Sequence, residues 1–329
     1  MYFVIESQDQ LDRLGHSENC FVQVIPLNDK YHPKLTGVSL VYYNNFDKGY
    51  LLCVDHSESF SLSLESVQGF LDKHSKVYML DYKYHSYFFS FKNPVDLYFA
   101  QLDLLNEHRP EECVTVTQRN FYSRSSVQRD INRVIPMSKH YETCECLFES
   151  VFGYADLEAN SEFYKRLSDA YKEVESSGIL VDFEKFKEHT TLEKYDYSIK
   201  GSIIYTCYNL YNLTQRPTNA FNGFNALSIP KDKKIRSSFL PKNDAFLEFD
   251  FDAYHLRIIA KLIGYEVPTE SFHTVLGRQY FDKQDLTPEE YQESKKITFR
   301  QLYGGVEDKY SHIDFFSGIE SYALSLIHI

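Results

Sequence analysis

The run Phe246-Leu-Glu-Phe-Asp-Phe-Asp-Ala-Tyr-His-Leu-Arg-Ile-Ile-Ala-Lys-Leu-Ile-Gly264 decides how this chain reads. Its first part has a strand pattern, with Phe246, Leu247, Phe249 and Phe251 apolar around Glu248. Asp250 falls at the end of that expected strand, and Asp252 suits a helix N-cap. Leu256, Ile259, Ala260 and Ile263 then recur at helical spacing, and Gly264 is a natural stop. A carboxylate at a strand-to-helix junction is well placed to hold a metal at the rim of a sheet.

Working outward, Tyr291-Gln-Glu-Ser-Lys-Lys-Ile-Thr-Phe-Arg-Gln-Leu-Tyr-Gly-Gly305 reads as a second helix. Thr287 suits its cap, Pro288 and Glu289 its first turn, and the glycine pair its end. Lys295, Phe299 and Tyr303 stand four apart and so share one face, about 40° apart per step. A cation and two aromatics on one face can hold a triphosphate and stack a base. The same pattern also describes an amphipathic helix with two core aromatics and a solvated lysine.

Taken together, three blocks in order resemble family A DNA polymerases, the bacterial polymerase I class, and especially their compact phage versions. Thr214-Gln-Arg-Pro-Thr-Asn, with Asn225-Ala-Leu-Ser-Ile-Pro and Lys234-Ile-Arg-Ser-Ser-Phe239, is similar to the T-G-R segment and its continuation. Asp250 to Ala260 is similar to motif A, and Lys295 to Gly304 to motif B, K-x3-F-x3-Y-G. Glu175-Ser-Ser-Gly-Ile-Leu-Val-Asp182 resembles the E-x2-G-x2-V-D turn that opens the polymerase domain.

Composition is compatible with this. The chain has 329 residues, 43% of them hydrophobic, which suits two domains with ample cores. The net charge of −12 argues against a protein that coats DNA, while leaving room for a locally basic cleft. Lys231, Lys233, Lys234 and Arg236 form one basic cluster, either a solvated face or a contact to backbone phosphate. No apolar run approaches the ~20 residues that span a bilayer, and Met1-Tyr-Phe-Val-Ile-Glu is not a signal peptide. The six cysteines lack CxxC or zinc spacing, which implies free thiols and a cytoplasmic protein, in the host cell if phage-encoded. The 27 Tyr and 26 Phe against no Trp have no functional account.

In chain order, residues 1–105 read as mixed α/β. Helices are expected at Gln8–Leu14, Leu64–Lys73 and Asp96–Leu105, the last begun by Pro94. Strands are expected at Phe21–Ile25, Leu35–Tyr43, Tyr50–Val54 and Val77–Leu80. Residues 106–140 read as a polar linker or inserted loop. Residues 138–190 read as helical, with Phe163, Leu167, Ala170 and Val174 as the apolar stripe, a stop at Ser176-Ser-Gly178 and a second helix from Phe183. A strand signal follows at Ser202–Tyr208, then an Asn-rich loop.

The resemblance implies an α/β (α+β) chain: an RNase H-like 3′-5′ exonuclease-type domain at 1–155, then a partial polymerase palm and fingers domain at 156–329 with a reduced thumb. Such an exonuclease needs four carboxylates around two metals. Val24 and Pro26 occupy the D-x-E places, His85 the next, and Tyr141-Glu-Thr-Cys-Glu145 stands for the last. An inactive, scaffolding exonuclease-like domain is expected.

The implied function is template-directed DNA synthesis on a primer 3′ end, with primer-template DNA and deoxynucleoside triphosphates as partners and two Mg²⁺ ions as cofactors. Asp250 and the backbone carbonyl of Phe251 would bind metal. Lys295 would hold the triphosphate and act in catalysis. Phe251, His255, His273, Phe299 and Tyr303 would contact the nucleotide, and Arg216, Asn225, Arg236 and Tyr303 the DNA. His255 stands where the family has a Glu that blocks the ribose 2′-hydroxyl. Tyr291 replaces an Arg that helps to bind triphosphate, and Arg300, in place of a small residue, is a candidate to compensate. The H-D-E turn with the second catalytic Asp is absent from a sequence ending at Ile329, and Leu324-Ser-Leu-Ile-His-Ile329 reads as translated sequencing adapter. The expectation is therefore a polymerase fragment truncated before motif C and inactive alone. The alternative is a non-catalytic protein that binds nucleic acid or nucleotide.

Overall fold

The computed structural model describes residues 2–15, 17–105, 130–154, 161–188, 192–212, 216–220, 223–230 and 233–327. Thr214, Gln215, Asn222 and Lys231 lie outside them, as does most of the expected polar loop. The chain forms two compact units, Met1–Ala245 and Phe246–Ile329. That division falls inside the 156–329 stretch that the sequence reading gives to one polymerase domain.

The first unit is built on a six-stranded sheet. Its strands are Val4–Ile5 (β1), Asn19–Pro26 (β2), Val38–Asn44 (β3), Gly49–Cys53 (β4), Lys76–Met79 (β5) and Pro94–Asp96 (β6), in the order β1-β4-β3-β2-β5-β6. The pairs β2/β3 and β3/β4 are antiparallel, and β2/β5, β5/β6 and β1/β4 are parallel. The two-residue period of a strand divides β2 cleanly. Cys20, Val22 and Val24 face the helix Leu64–Leu71, with Val67, Phe70 and Leu71. Phe21 and Ile25 face the opposite core, with Met137, Cys144 and Leu147 of the helix Met137–Val151.

Pro94 opens an edge strand instead of the expected helix, which runs from Leu97 to Leu105. Its missing N–H is tolerated at the first residue of an edge strand. The expected strand at Ser202–Tyr208 resolves into Ile203–Ile204 (β9) and Tyr208–Asn209 (β10). β9 joins Ile179–Val181 (β7), Ile199–Lys200 (β8) and Phe239–Leu240 (β11) in a small sheet ordered β11-β7-β9-β8. Helix Ser161–Ser177 buries a different face from the one expected. Phe163 and Val174 are 54% and 58% exposed, while Tyr164, Ser168 and Glu175 are buried. The buried stripe carries a serine and a carboxylate, so hydrophobicity alone misplaces it. Gly178, with φ of +62°, makes the turn from this helix into β7. Cys20, Cys53, Cys144 and Cys207 are free, as expected, and all four are buried, but Cys146 is disulfide-bonded, against the expectation.

The second unit is helical: Tyr254–Leu262, Phe272–Phe281, Pro288–Gly304 and Asp314–Ile327. Its core is Leu256, Ala260, Phe272, Leu276, Ile313, Phe315 and Phe316. The expected strand at 246–251 does not form. These residues have no regular structure, and Leu247, Phe249 and Phe251 are 81%, 89% and 77% exposed. A strand needs a ladder partner, and among the described residues none pairs with it. Asp252 is not the N-cap either. That position is Ala253 at φ of +47°, while the Asp252 carboxylate accepts from Arg257 Nη2 at 2.8 Å. Gly264, at φ of +70°, ends the helix as read, and Tyr265 N–H donates to the Ala260 carbonyl at 2.8 Å. Among the described residues no helix is long and apolar enough to cross a membrane.

Candidate nucleotide site

The 288–304 helix starts where its sequence directs. Thr287 Oγ1 accepts from Glu290 N at 3.2 Å and Glu290 Oε2 accepts from Thr287 N at 2.9 Å, a closed capping box. Its inner face meets the 272–281 helix through Gly277, where an added Cβ would lie 2.6 Å from Leu286 Cδ1 and 3.0 Å from Ser294 Cβ. Ser294 Oγ also donates to the His273 carbonyl at 2.9 Å. The two helices are thereby fixed with His273 against the face that carries Lys295, Phe299 and Tyr303.

On that face the four-residue spacing produces a continuous row. The Phe299 and Tyr303 rings lie parallel within 10° at 6.2 Å, and Tyr303 is 75% exposed. The His273 ring stands 5.5 Å from Phe299 and 6.4 Å from Tyr291. The Lys295 ammonium sits 4.5 Å from the centre of the Tyr291 ring. His273 is buried, and its Nδ1 has no hydrogen-bond partner. Burial, and then the Lys295 charge, hold its pKa below the ordinary histidine value, while Asp252 acts the other way. At neutral pH the imidazole is therefore uncharged and has a nitrogen to offer a ligand.

The structure thus brings His273, Tyr291, Lys295, Phe299 and Tyr303 together. Asp250, Phe251 and His255 are exposed, and the Phe251 ring lies 5.3 Å from Tyr254. Arg300 pairs with Glu307 at 3.2 Å, so it is engaged elsewhere than the compensating role envisaged for it. Of the DNA-contact candidates, Tyr303 lies on this helix and Arg216, Asn225 and Arg236 in the first unit. Arg216 and Arg236 are exposed, and Arg236 Nε donates to the Pro230 carbonyl at 3.3 Å. Asn225 Oδ1 accepts from Ser228 N at 3.3 Å and so caps a short turn.

Among the described residues no group of three His, Cys, Asp or Glu side chains forms a ready metal site. Mg²⁺ is commonly held by one or two carboxylates together with substrate phosphates. Asp250 is an exposed carboxylate on an irregular stretch, so it forms no preformed cage.

Sequence reasoning missed two polar clusters of the first unit. Asp81 follows β5 and Asp96 ends β6, and the Tyr211 hydroxyl donates to Asp96 Oδ2 at 2.6 Å and Asp81 Oδ1 at 3.1 Å. Burial, with Asp81 beside it, pushes the Asp96 pKa up to about 7. Lys83 and Glu175 form a fully buried ion pair. Only the adjacency of β5 and β6, and the docking of the 161–177 helix, bring these residues together.

No protein-family model matches the chain, and no curated protein does. Among solved structures the fold is similar to the POL domain of Pol1 from M. smegmatis, determined in complex with DNA primer-template and dNTP. The TM-score is 0.62 at 13% identity, over 98% of this chain and 77% of that one. At that identity the likeness is one of fold alone, a polymerase-like arrangement.

Proposed function

We propose that this chain carries the nucleotide-binding elements of a family A DNA polymerase and serves template-directed addition of deoxynucleotides to a primer. One observation carries the reading. The 288–304 helix presents Lys295 and the parallel Phe299 and Tyr303 rings on one face, beside a buried neutral His273. Within a polymerase-type fold, an ammonium, an imidazole nitrogen and two aromatic faces suit the phosphates, sugar and base of a nucleoside triphosphate. Mg²⁺ bound with the nucleotide neutralises phosphate charge and supplies Lewis-acid chemistry. Asp250 and the Phe251 carbonyl would hold it, and Lys295 would orient the phosphates. Arg216, Asn225 and Arg236 would serve the DNA.

The first unit supports a companion reading. The strand order β4-β3-β2-β5-β6, with β3 antiparallel to the rest, is what supports reading the unit as RNase H-like. Val24 and Pro26 lie buried in β2, and the buried His85 Nδ1 bonds the Asp81 carbonyl at 2.8 Å. Glu145 accepts from the Tyr42 hydroxyl. We read this unit as a scaffold without nuclease action. Release of nucleotides from a single-stranded 3′ end in Mg²⁺ or Mn²⁺ would overturn that reading.

The test of the main reading is binding. Fluorescent dATP with Mg²⁺ is titrated against the full chain and its Lys295→Ala variant. Saturable binding weakened at least tenfold by K295A is expected. Binding indifferent to Lys295 would refute the assignment.

A further inference from the structure

We propose that Tyr291 is the positioning residue of Lys295, its ring taking the place of a carboxylate so that the ammonium is held in orientation but left uncompensated for a polyphosphate. The inference rests on the nucleotide-site reading above and names how that site keeps its charge available.

The neighbouring cations show the contrast. Arg257 pairs with Asp252 at 2.8 Å, Arg278 with Glu270 at 2.7 Å, Lys296 with Glu293 at 3.2 Å and Arg300 with Glu307 at 3.2 Å. Lys283 pairs with Glu290. Lys295 has no carboxylate within ion-pair reach among the described residues. Its ammonium lies instead 4.5 Å from the Tyr291 ring centre.

The two partners differ chemically. A carboxylate neutralises an ammonium and occupies its donors, so an incoming phosphate must displace it. A ring attracts the cation through its quadrupole and carries no net charge. The N–H donors turned away from the ring stay available. Spacing of four on one helix places the ring beside the lysine stem. The ring is itself anchored, because the Tyr291 hydroxyl and Ser271 Oγ lie 3.1 Å apart across to the start of the 272–281 helix. Tyr291 also meets the His273 ring nearly perpendicularly, at 85°. One aromatic side chain thus fixes the ammonium beside the imidazole whose Nδ1 is unpartnered. The ligand class is an anion that offers oxygens to both groups, a nucleoside polyphosphate.

The chain contains no Trp, so Tyr291→Trp introduces a single fluorescent reporter at the position in question. Trp also gives the strongest cation–π partner. The full-length Y291W chain is titrated with dATP and Mg²⁺. Its emission is expected to change along the same saturation curve as displacement of fluorescent dATP. Tyr291→Leu, which removes the ring, is expected to weaken binding about two- to fivefold, the size of an exposed or half-buried cation–π contact. In a Lys295→Ala background the same Y291L change is expected to have no further effect. Equal weakening by Y291L with and without Lys295 would show a merely structural ring and overturn the proposal. So would an unchanged affinity of Y291L, or silent emission of Y291W, while K295A still weakens binding. Loss of any K295A effect would instead remove the nucleotide-site reading itself, and this inference with it.

Discussion

Lys83→Met tests the central polar contact of the first unit. The Lys83 and Glu175 side chains are 3% and 0% exposed. Burial works against the Lys83 charge, but Cys207, Glu175 and Asp81 beside it raise its pKa above the ordinary lysine value. Its ammonium donates to Glu175 and to the Tyr208 carbonyl, the latter at 2.8 Å. Glu175 also accepts from Tyr208 N at 2.7 Å and the Tyr87 hydroxyl at 2.9 Å. Methionine fills the stem volume but leaves a buried carboxylate with only those two neutral donors. Breaking a buried pair from one side costs about 3–5 kcal/mol. The two surviving donors place this case near 3 kcal/mol, a fall of roughly 6–12 °C in the melting temperature of a unit this size. Calorimetry on the full chain, following the transition of the larger unit, is the assay. Adding Glu175→Gln removes the second charge while keeping an acceptor for Tyr208 N, so K83M/E175Q should melt above K83M. A loss under about 1 kcal/mol in K83M, or no recovery in the double variant, would refute the claim that an uncompensated buried charge sets the cost.

Three further outcomes follow from the same geometry. Asp96 has its pKa raised from the ordinary 3.8 to about 7, so the native state binds its proton more tightly than the unfolded chain. Its contribution is full below about pH 4 and is lost as pH rises through 7, on the order of 4 kcal/mol across that window. Asp96→Asn should flatten the pH dependence of urea stability between pH 4 and 7, with Asp81 and Tyr211 as the facing titratable groups left in place. Gly178→Ala puts a side chain at φ of +62°, with its Cβ 2.5 Å from Ile203 Cγ2 and 3.0 Å from the Ile204 carbonyl. It should cost at least about 2 kcal/mol in thermal unfolding, against about 1 for the backbone conformation alone. Thr287→Ala opens the capping box of the 288–304 helix and should destabilise the second unit by about 1 kcal/mol. Amide exchange of the first helical turn is the direct readout.

Local signals carried much of the fold. Alternation marked β2, β3, β4 and β5 because each is buried on one or both faces and flanked by turn residues. Thr287, Pro288 and Gly264 fixed helix ends because capping is decided within a few residues. The row of Lys295, Phe299 and Tyr303 was legible because a helix puts every fourth residue on one side. Where a partner from elsewhere decides, the sequence failed. Phe246 to Phe251 alternate like a strand, yet no described strand pairs with them. The 161–177 helix buries Glu175 because Lys83 waits for it, and no hydrophobic pattern announces a buried carboxylate.

By itself, then, the sequence determined the strands β2 to β5, the Thr287 cap and the Gly264 stop, the residues that share the 288–304 face and a likeness to polymerase motifs, all set by short-range sterics and hydrogen bonding. Tertiary structure alone decided which charges meet. It brought Asp96 against Asp81 under Tyr211, seated Lys83 on Glu175, and anchored Tyr291 to Ser271 beneath the Lys295 ammonium. Those are contacts between distant segments, and their energies depend on burial, which exists only once the chain has packed.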